Sequence, residues 1–426
     1  MDLENLLFNN ISPKQTFFKN SFWLLFSQIL SRLFKLILVL VSARVLGPTG
    51  FGTFNYILSI GTLFFLFADW GINTLIIRDY QQAVEREKYT RAAFLFRILT
   101  TSLCLIAAIL GLFVFQNPEF RLNFLVISIY LFVANIKDLF VSFLRAIQKM
   151  EKEFIVILVE SFSVMAFSIF LILIYKNIIS LSVGYLIGVL LSFITAGLMI
   201  KPFKNYFLPQ LDKNLFKQLF INGLPVALFG LLNFILFSTD QIMLGKMRGV
   251  TEVGYYSLIT KGILLINLLP SLIMIALFPY LSANINDKEK IKKITQKALI
   301  GFLALGFLIA LLIFIFAPIL PFFVGKQYEP SVSLAQFLSW IIVFTFPAVY
   351  LSYLYIAYNK QWLNFYLTAF CAIINLVLNF LLIPKFGMFA AAFTSILSQA
   401  ANFGLLTWFR DKIIKLEATQ QKDLKI

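Results

Sequence analysis

Twelve apolar runs, each of about 20 residues or more, follow one another along the chain with short connections between them. In helical form about 20 residues cover about 30 Å, the thickness of a bilayer's hydrocarbon core. In lipid every backbone N–H and C=O must be satisfied inside the element, so only helices and closed barrels can span. Barrel strands would appear as segments of about 10 residues alternating apolar and polar side chains. These runs are continuous and about twice as long, so helices are the expected element. Composition agrees. Charged residues are 13% of the chain and apolar ones 60%, whereas soluble domains carry about 25% charge. The expected fold class is an all-α integral membrane protein of about twelve transmembrane helices.

The runs fall at 21–43, 52–76, 92–115, 122–144, 154–175, 178–200, 219–243, 254–281, 298–324, 331–357, 362–383 and 386–409. Val41-Ser42-Ala43 has the look of a signal-peptide cleavage site, but the run before it is too long and carries Arg32 and Lys35. Cys104 and Cys371 both lie in apolar runs, and the chain has no histidine. No disulfide framework, metal site, cofactor or catalytic constellation is therefore expected.

With the N-terminus in the cytoplasm, alternation of sides puts 24 lysines and arginines on inside segments and 7 on outside loops. That is a strong positive-inside bias, and it places both termini in the cytoplasm. The net charge of +16 is then largely topology, and nucleic-acid binding is not needed to explain it. The charged inside segments 78–91 and 283–297 read as connectors that set topology, or as amphipathic helices on the membrane surface.

The chain repeats itself. A shift of 202 residues lays Leu46-Gly47-Pro48-Thr49-Gly50-Phe51-Gly52-Thr53-Phe54 on Arg248-Gly249-Val250-Thr251-Glu252-Val253-Gly254-Tyr255-Tyr256 and brings Asn20 onto Asn222. Six spans separate the copies, so both halves keep the same orientation and the repeat is parallel. The expected organisation is a six-helix lobe over 1–200, a cytoplasmic linker over 201–218 and a second six-helix lobe with its tail over 219–426. A central cavity between such lobes is a transporter arrangement.

Polar residues inside spans are expensive and mark function or helix pairing. On the first span Ser21, Gln28, Arg32, Lys35 and Ser42 fall within about 40° of one line at 100° per residue, a polar and cationic stripe. Weaker stripes hold Ser128, Asn135, Asp138 and Ser142 on the fourth span, Asn222, Asn233 and Asp240 on the seventh, and Asn364, Thr368, Cys371 and Asn375 on the eleventh. For Asn and Ser, hydrogen bonding between helices is the simpler role. Lys261 lies within the eighth span, where it lines a cavity or snorkels outward. Arg97 and Lys137, nearer the cytoplasmic ends, are expected to snorkel. The embedded acids are Asp69, Asp138, Glu160 and Asp240. Pro225, Pro270, Pro318, Pro321 and Pro347 should bend their helices.

Three segments carry a family resemblance. Asn20-Ser21-Phe22-Trp23, Gln28, Ala43-Arg44-Val45-Leu46-Gly47-Pro48, Phe51-Gly52, Asp69-Trp70-Gly71 and Arg78 resemble the N-terminal signature of bacterial polysaccharide flippases. These belong to the multidrug/oligosaccharidyl-lipid/polysaccharide exporter superfamily. Asp240-Gln241-Ile242-Met243-Leu244-Gly245 with Val253-Gly254-Tyr255-Tyr256 is similar to their seventh-to-eighth span motif. Asn375, Asn379-Phe380-Leu381-Leu382-Ile383-Pro384-Lys385-Phe386-Gly387 and Ala390-Ala391-Ala392 resemble their eleventh-to-twelfth.

The resemblance implies inversion of an undecaprenyl-pyrophosphate-linked oligosaccharide from the cytoplasmic to the periplasmic leaflet of the inner membrane. A polysaccharide polymerase and a chain-length regulator are the protein partners such a pathway would supply. A pyrophosphate crossing the apolar centre needs fixed cations, and an arginine fork matches phosphate oxygens in pairs. Arg32, Lys35, Gln28 and Lys261 are therefore the expected substrate-binding residues. With no histidine present, a coupling proton or sodium ion needs a carboxylate, and Asp240 and Asp69 are the expected carriers. Two other functions remain open. A drug/cation antiporter of the same superfamily would favour acids over Arg32 and Lys35. A membrane-embedded glycosyltransferase or polymerase would need large outside loops or interfacial acid pairs.

Overall fold

A computed structural model describes residues 11–83, 85–115, 117–285 and 287–423, and these residues contain helices, turns and short 3₁₀ segments with no strand among them. The helices are α1 (Pro13–Phe64), α2 (Ile72–Asp79), α3 (Arg86–Gly111), α4 (Pro118–Ala146), α5 (Met150–Tyr175), α6 (Ile178–Ile200), α7 (Lys213–Met247), α8 (Val250–Ile266), α9 (Leu268–Ala283), α10 (Lys288–Phe316), α11 (Leu320–Val324), α12 (Pro330–Leu338), α13 (Ile341–Ala357), α14 (Gln361–Phe386) and α15 (Met388–Asp423). Among the described residues, eleven helical stretches are long and apolar enough to cross a bilayer. The first of these, Phe18–Phe64, contains the first expected run and most of the second.

At 1.5 Å per residue that 47-residue stretch would be about 70 Å long, more than twice a bilayer core. It is a hairpin. Helices α5 and α6 are antiparallel, because Gly184 sits against Ser168 and Gly188 against Val164. The first part of α1 ascends with α5, since Trp23 stacks near Phe154 and Phe34 near Phe162. The later part runs with α6, since Gly50 abuts Ile178 and Phe54 meets Tyr185. The direction reverses at Gly47, whose φ 68°, ψ 177° only glycine adopts readily, followed by Pro48, which has no N–H to continue a helix. Gly249, its partner in the 202-residue shift, takes φ 103°, ψ 164° between α7 and α8.

A second pair of turns extends the parallel repeat. Gln148 (φ 58°) ends α4 and Asn359 (φ 54°) ends α13, each followed by a lysine. Lys149 N–H closes onto the Leu144 carbonyl at 2.9 Å, and Lys360 N–H onto the Tyr355 carbonyl at 2.8 Å, the same left-handed helix ending 211 residues apart.

The chain divides into two compact units, Met1–Phe234 and Ile235–Ile426. The division falls inside α7, beyond the linker expected at 201–218. Close packing explains the difference. A Cβ on Gly223 would lie 2.1 Å from the Trp70 carbonyl oxygen, and Trp70 donates its indole N–H to the Phe220 carbonyl at 3.0 Å while stacking on the Phe220 ring. The start of α7 is thereby held in the first unit.

Two expectations need revising. The second run, 52–76, is not one helix: α1 ends at Phe64, turns occupy 65–71, and α2 follows. Irregular backbone at membrane depth survives where protein covers it. Here Ala68 is fully buried, and its carbonyl accepts from the Thr100 hydroxyl at 2.8 Å. The charged segments 78–91 and 283–297 are not separate surface helices either. Their later residues form the first turns of α3 and α10, which continue into the spans; Val84 and Asn286 lie outside the described residues.

Candidate substrate and ion sites

The polar stripe of α1 is a property of helical spacing, and it lies on the side of the helix away from α5. Trp23, Phe26 and Phe34 take the opposite side of the helix, against Phe154 and Phe162 of α5. Gln28 and Arg32 are partly buried, Lys35 is exposed, and Ser42 is buried. Among the described residues no acid forms an ion pair with Lys35. Two cations on one helix face can attract and orient an anion. Lys261 is partly buried on α8, in the second unit.

The densest polar cluster surrounds Asp240. The reversal at Gly249 makes α7 and α8 neighbours, so Asp240 and Tyr256 face each other. The buried carboxylate accepts from the Tyr256 hydroxyl at 2.6 Å, the Asn379 amide at 2.6 Å and the Ser395 hydroxyl at 2.8 Å. Asn379 in turn donates to Asn375 at 3.1 Å and accepts from the Thr394 hydroxyl. Four helices, α7, α8, α14 and α15, supply this shell. No lysine or arginine lies within ion-pair distance of Asp240 among the described residues. A narrow cavity of about 40 Å³ opens beside it, lined by Asp240, Tyr256, Asn375, Ser395, Ser398 and Gln399. That is room for a few waters or one small cation. A buried carboxylate among neutral oxygens and amides can bind a proton or a hard monovalent cation, because its charge has no fixed partner.

Asp69 is held differently. It lies in the break between α1 and α2, and its carboxylate meets the fully buried Arg97 at 2.6 Å. Arg97 also donates twice to the Asn135 carbonyl, at 3.0 and 2.9 Å. The expectation that Arg97 snorkels is therefore wrong: Asp69 and the Asn135 carbonyl satisfy its fork inside the unit. Lys137 is likewise buried, between Asp138 at 2.8 Å and Glu160 at 2.5 Å. These pairs join α3, α4 and α5 and occupy three of the four embedded acids. Asp240 is the fourth. On the seventh span Asn222 and Asp240 are described, while the Asn233 side chain lies outside the described residues.

Tyr256, Asn379 and Ser395 were not read from the sequence as Asp240's partners. Asn375 and Asn379, four residues apart on one helix face, carried the available signal. The ligand set itself is tertiary, drawn from positions 240 to 395.

Buried polar clusters in two helical units, each opened by a glycine-broken hairpin, define a multi-pass membrane transporter. Residues 17–285 match the family described as polysaccharide biosynthesis protein, and residues 225–381 match the MatE family. The chain belongs to the polysaccharide biosynthesis protein family. The capsular polysaccharide biosynthesis protein CapF of Staphylococcus aureus is 24% identical over 390 residues, spanning 89% of this chain and 96% of that one. Among solved structures, the lipid II flippase MurJ in an inward closed conformation aligns with TM-score 0.74 at 18% identity, over 94% of this chain and 90% of that one. An inward-facing multidrug resistance transporter of the MATE family aligns with TM-score 0.68 at 13% identity, over 92% and 96%. At these identities the structures speak for the fold.

Proposed function

We propose that this chain moves an undecaprenyl-pyrophosphate-linked oligosaccharide repeat unit from the cytoplasmic to the periplasmic leaflet of the inner membrane by alternating access. The observation that carries the reading is the cationic face of α1. Arg32 and Lys35 lie within an apolar span of a polysaccharide-family chain, on the side of the helix that α5 leaves uncovered. A pyrophosphate leaving the interface loses hydration worth many kcal/mol, and fixed cations offset much of that loss. Arg32 offers a planar fork to paired phosphate oxygens and Gln28 adds an amide on the same line; Lys261 is a candidate substrate-binding cation of the second unit in its own right.

Asp240 is the coupling-ion residue of this proposal, with Asn375, Asn379 and Ser395 as the oxygens and amides around the ion. Asp69 was the other expected carrier. Its pairing with Arg97 favours a structural role, so the proposal rests on Asp240. The basic-residue bias supports cytoplasmic termini, and a cysteine at Lys246 should label from the periplasm alone.

Complementation of surface-polysaccharide assembly in a flippase-null strain tests the proposal. Arg32→Ala and Lys35→Ala should each abolish or strongly reduce transport at normal expression, and Arg32→Lys should retain part of it. Full complementation by both alanine variants at normal expression would reject the anion-binding role of this face.

A further inference from the structure

At the end of the first unit that carries its basic loops, an open cavity of about 820 Å³ is lined by residues of α1, α2 and the α4–α5 turn. Its polar lining includes Thr16, Asn20, Ser21, Gln81, Arg145 and Gln148, and its apolar lining includes Leu24 and Ile77. Ser21 is the first residue of the α1 polar stripe, and the others lie outside both that stripe and the Asp240 cluster. The volume lies in the range of small-molecule sites, about 300–1,000 Å³.

Its electrostatics are specific. Arg145 is the one charged group in the described lining, and the buried Glu153 grips its guanidinium through two oxygens, one at 3.1 Å from Nε. The adjacent Lys19 is fully buried against Glu151 at 2.9 Å. Arg145 and Lys19 are thus each paired with an acid, and the rest of the described polar lining is hydroxyls and amides. Gln81 spends its Nε2 on the Ala146 carbonyl at 2.8 Å, which fixes the side chain. Asn20 is nine-tenths buried, and its Oδ1 has no hydrogen-bond partner among the described residues. Turned toward the cavity that Asn20 lines, this oxygen would accept from a ligand hydroxyl.

We infer that this cavity is a binding site for an uncharged sugar ring of the cargo oligosaccharide. A pyranose carries hydroxyls that match neutral amides and alcohols, and C–H faces that match Leu24 and Ile77. A phosphate would meet a guanidinium already paired with Glu153, so the anion and the sugar are sorted to different places: phosphate to Arg32 and Lys35, sugar to Asn20 and its neighbours. The inference rests on the proposed oligosaccharide transport. It adds where the cargo's sugar is read before inversion.

The test uses the full chain in lipid nanodiscs with Cys104→Ser and Cys371→Ser, and Ser21→Cys as a maleimide-reactive reporter at the cavity wall. The probes are methyl glycosides of a neutral hexose, an N-acetylhexosamine and a 6-deoxyhexose, with methyl glucuronide and inorganic pyrophosphate as charged controls. At least one neutral glycoside should slow labelling, and the charged probes should not. Adding Asn20→Ala should weaken that protection about tenfold, the effect of one lost hydrogen bond. Thr16→Val gives the same reading if Asn20→Ala lowers expression. Protection by pyrophosphate alone, protection by no glycoside, or protection unchanged in both variants would overturn the sugar site. Complementation is scored separately. If the parent chain fails to restore polysaccharide while a glycoside still protects Ser21→Cys, the transport reading falls and the cavity's sugar chemistry stands.

Discussion

Tyr256 and Asp240 lie on successive helices of opposite direction, and the tyrosine hydroxyl donates to the carboxylate at 2.6 Å. Sixteen residues of continuous helix would put them about 24 Å apart. The reversal at Gly249 removes that distance, and α14 and α15 then complete the shell with Asn379 and Ser395.

Asp240 and Asp69 should respond in opposite ways to loss of charge. Asp240→Asn removes a buried charge with no fixed counter-ion, so the protein should stay folded and transport should lose its ion dependence. Asp69→Asn leaves Arg97 buried without its acid. Breaking a fully buried pair costs about 3–5 kcal/mol, and Asp69 is part-exposed, so about 2–3 kcal/mol is expected. Thermal unfolding in detergent, with transport measured under imposed proton and sodium gradients, checks both. Retained ion dependence in Asp240→Asn would remove it as the ion carrier.

The paired hairpin glycines should be equally intolerant of a side chain. Nothing lies within 4 Å of a Cβ built on Gly249, so Gly249→Ala is penalised by backbone conformation alone, by about 1–3 kcal/mol. Gly47→Ala should cost a similar amount for the same reason, since both residues occupy backbone space that is essentially glycine's own. A drop in unfolding temperature for both variants, with no drop for Gly230→Ala in the exposed interior of α7, would match this account. There the substitution should add helix propensity, about 1 kcal/mol.

Gly223 should tolerate no side chain at all. A Cβ there would sit 2.1 Å from the Trp70 backbone oxygen, and a backbone atom cannot rotate away. Gly223→Ala should release the Trp70–Phe220 contact, visible as a changed tryptophan emission and as faster proteolysis after residue 200. Unchanged emission would mean that the start of α7 is not held where the glycine contact puts it.

Acid should loosen the entry into α7. Asp212 accepts from the Leu215 and Asn214 N–H groups, both at 3.0 Å, and meets Lys88 at 3.1 Å. The Leu215 N–H and the Lys88 ammonium hold its carboxyl below the usual carboxylate range. A depressed folded pKa means that the stabilisation is complete above the unfolded value of about 3.9 and is lost as pH falls below it. Hydrogen exchange at Asn214 and Leu215 should therefore accelerate relative to the intrinsic rate below about pH 4, and Asp212→Asn should show the faster exchange at neutral pH.

Much of this fold was legible in the residues. Continuous apolar runs cannot be satisfied in lipid except as helices, so the element type and the approximate spans followed from length alone. Gly47 and Gly249 marked the repeat because their conformation admits little else. The α1 stripe was readable because helical spacing fixes which residues share a face. Tertiary packing decided what each polar residue does there. Arg97 and Lys137 looked able to reach the interface, yet helix contacts bury them on Asp69, Asp138 and Glu160. Asp69 and Asp240 looked alike as embedded acids, and only the arrangement of neighbouring helices gives one an arginine and the other a ring of neutral donors. The division inside α7 also follows from contact, since Gly223 needs Trp70 beside it to matter. Periodicity and hydropathy are local and survive in a single strand of sequence. Charge pairing and cavity lining depend on residues as far apart as 240 and 395, and those meet only in the folded chain.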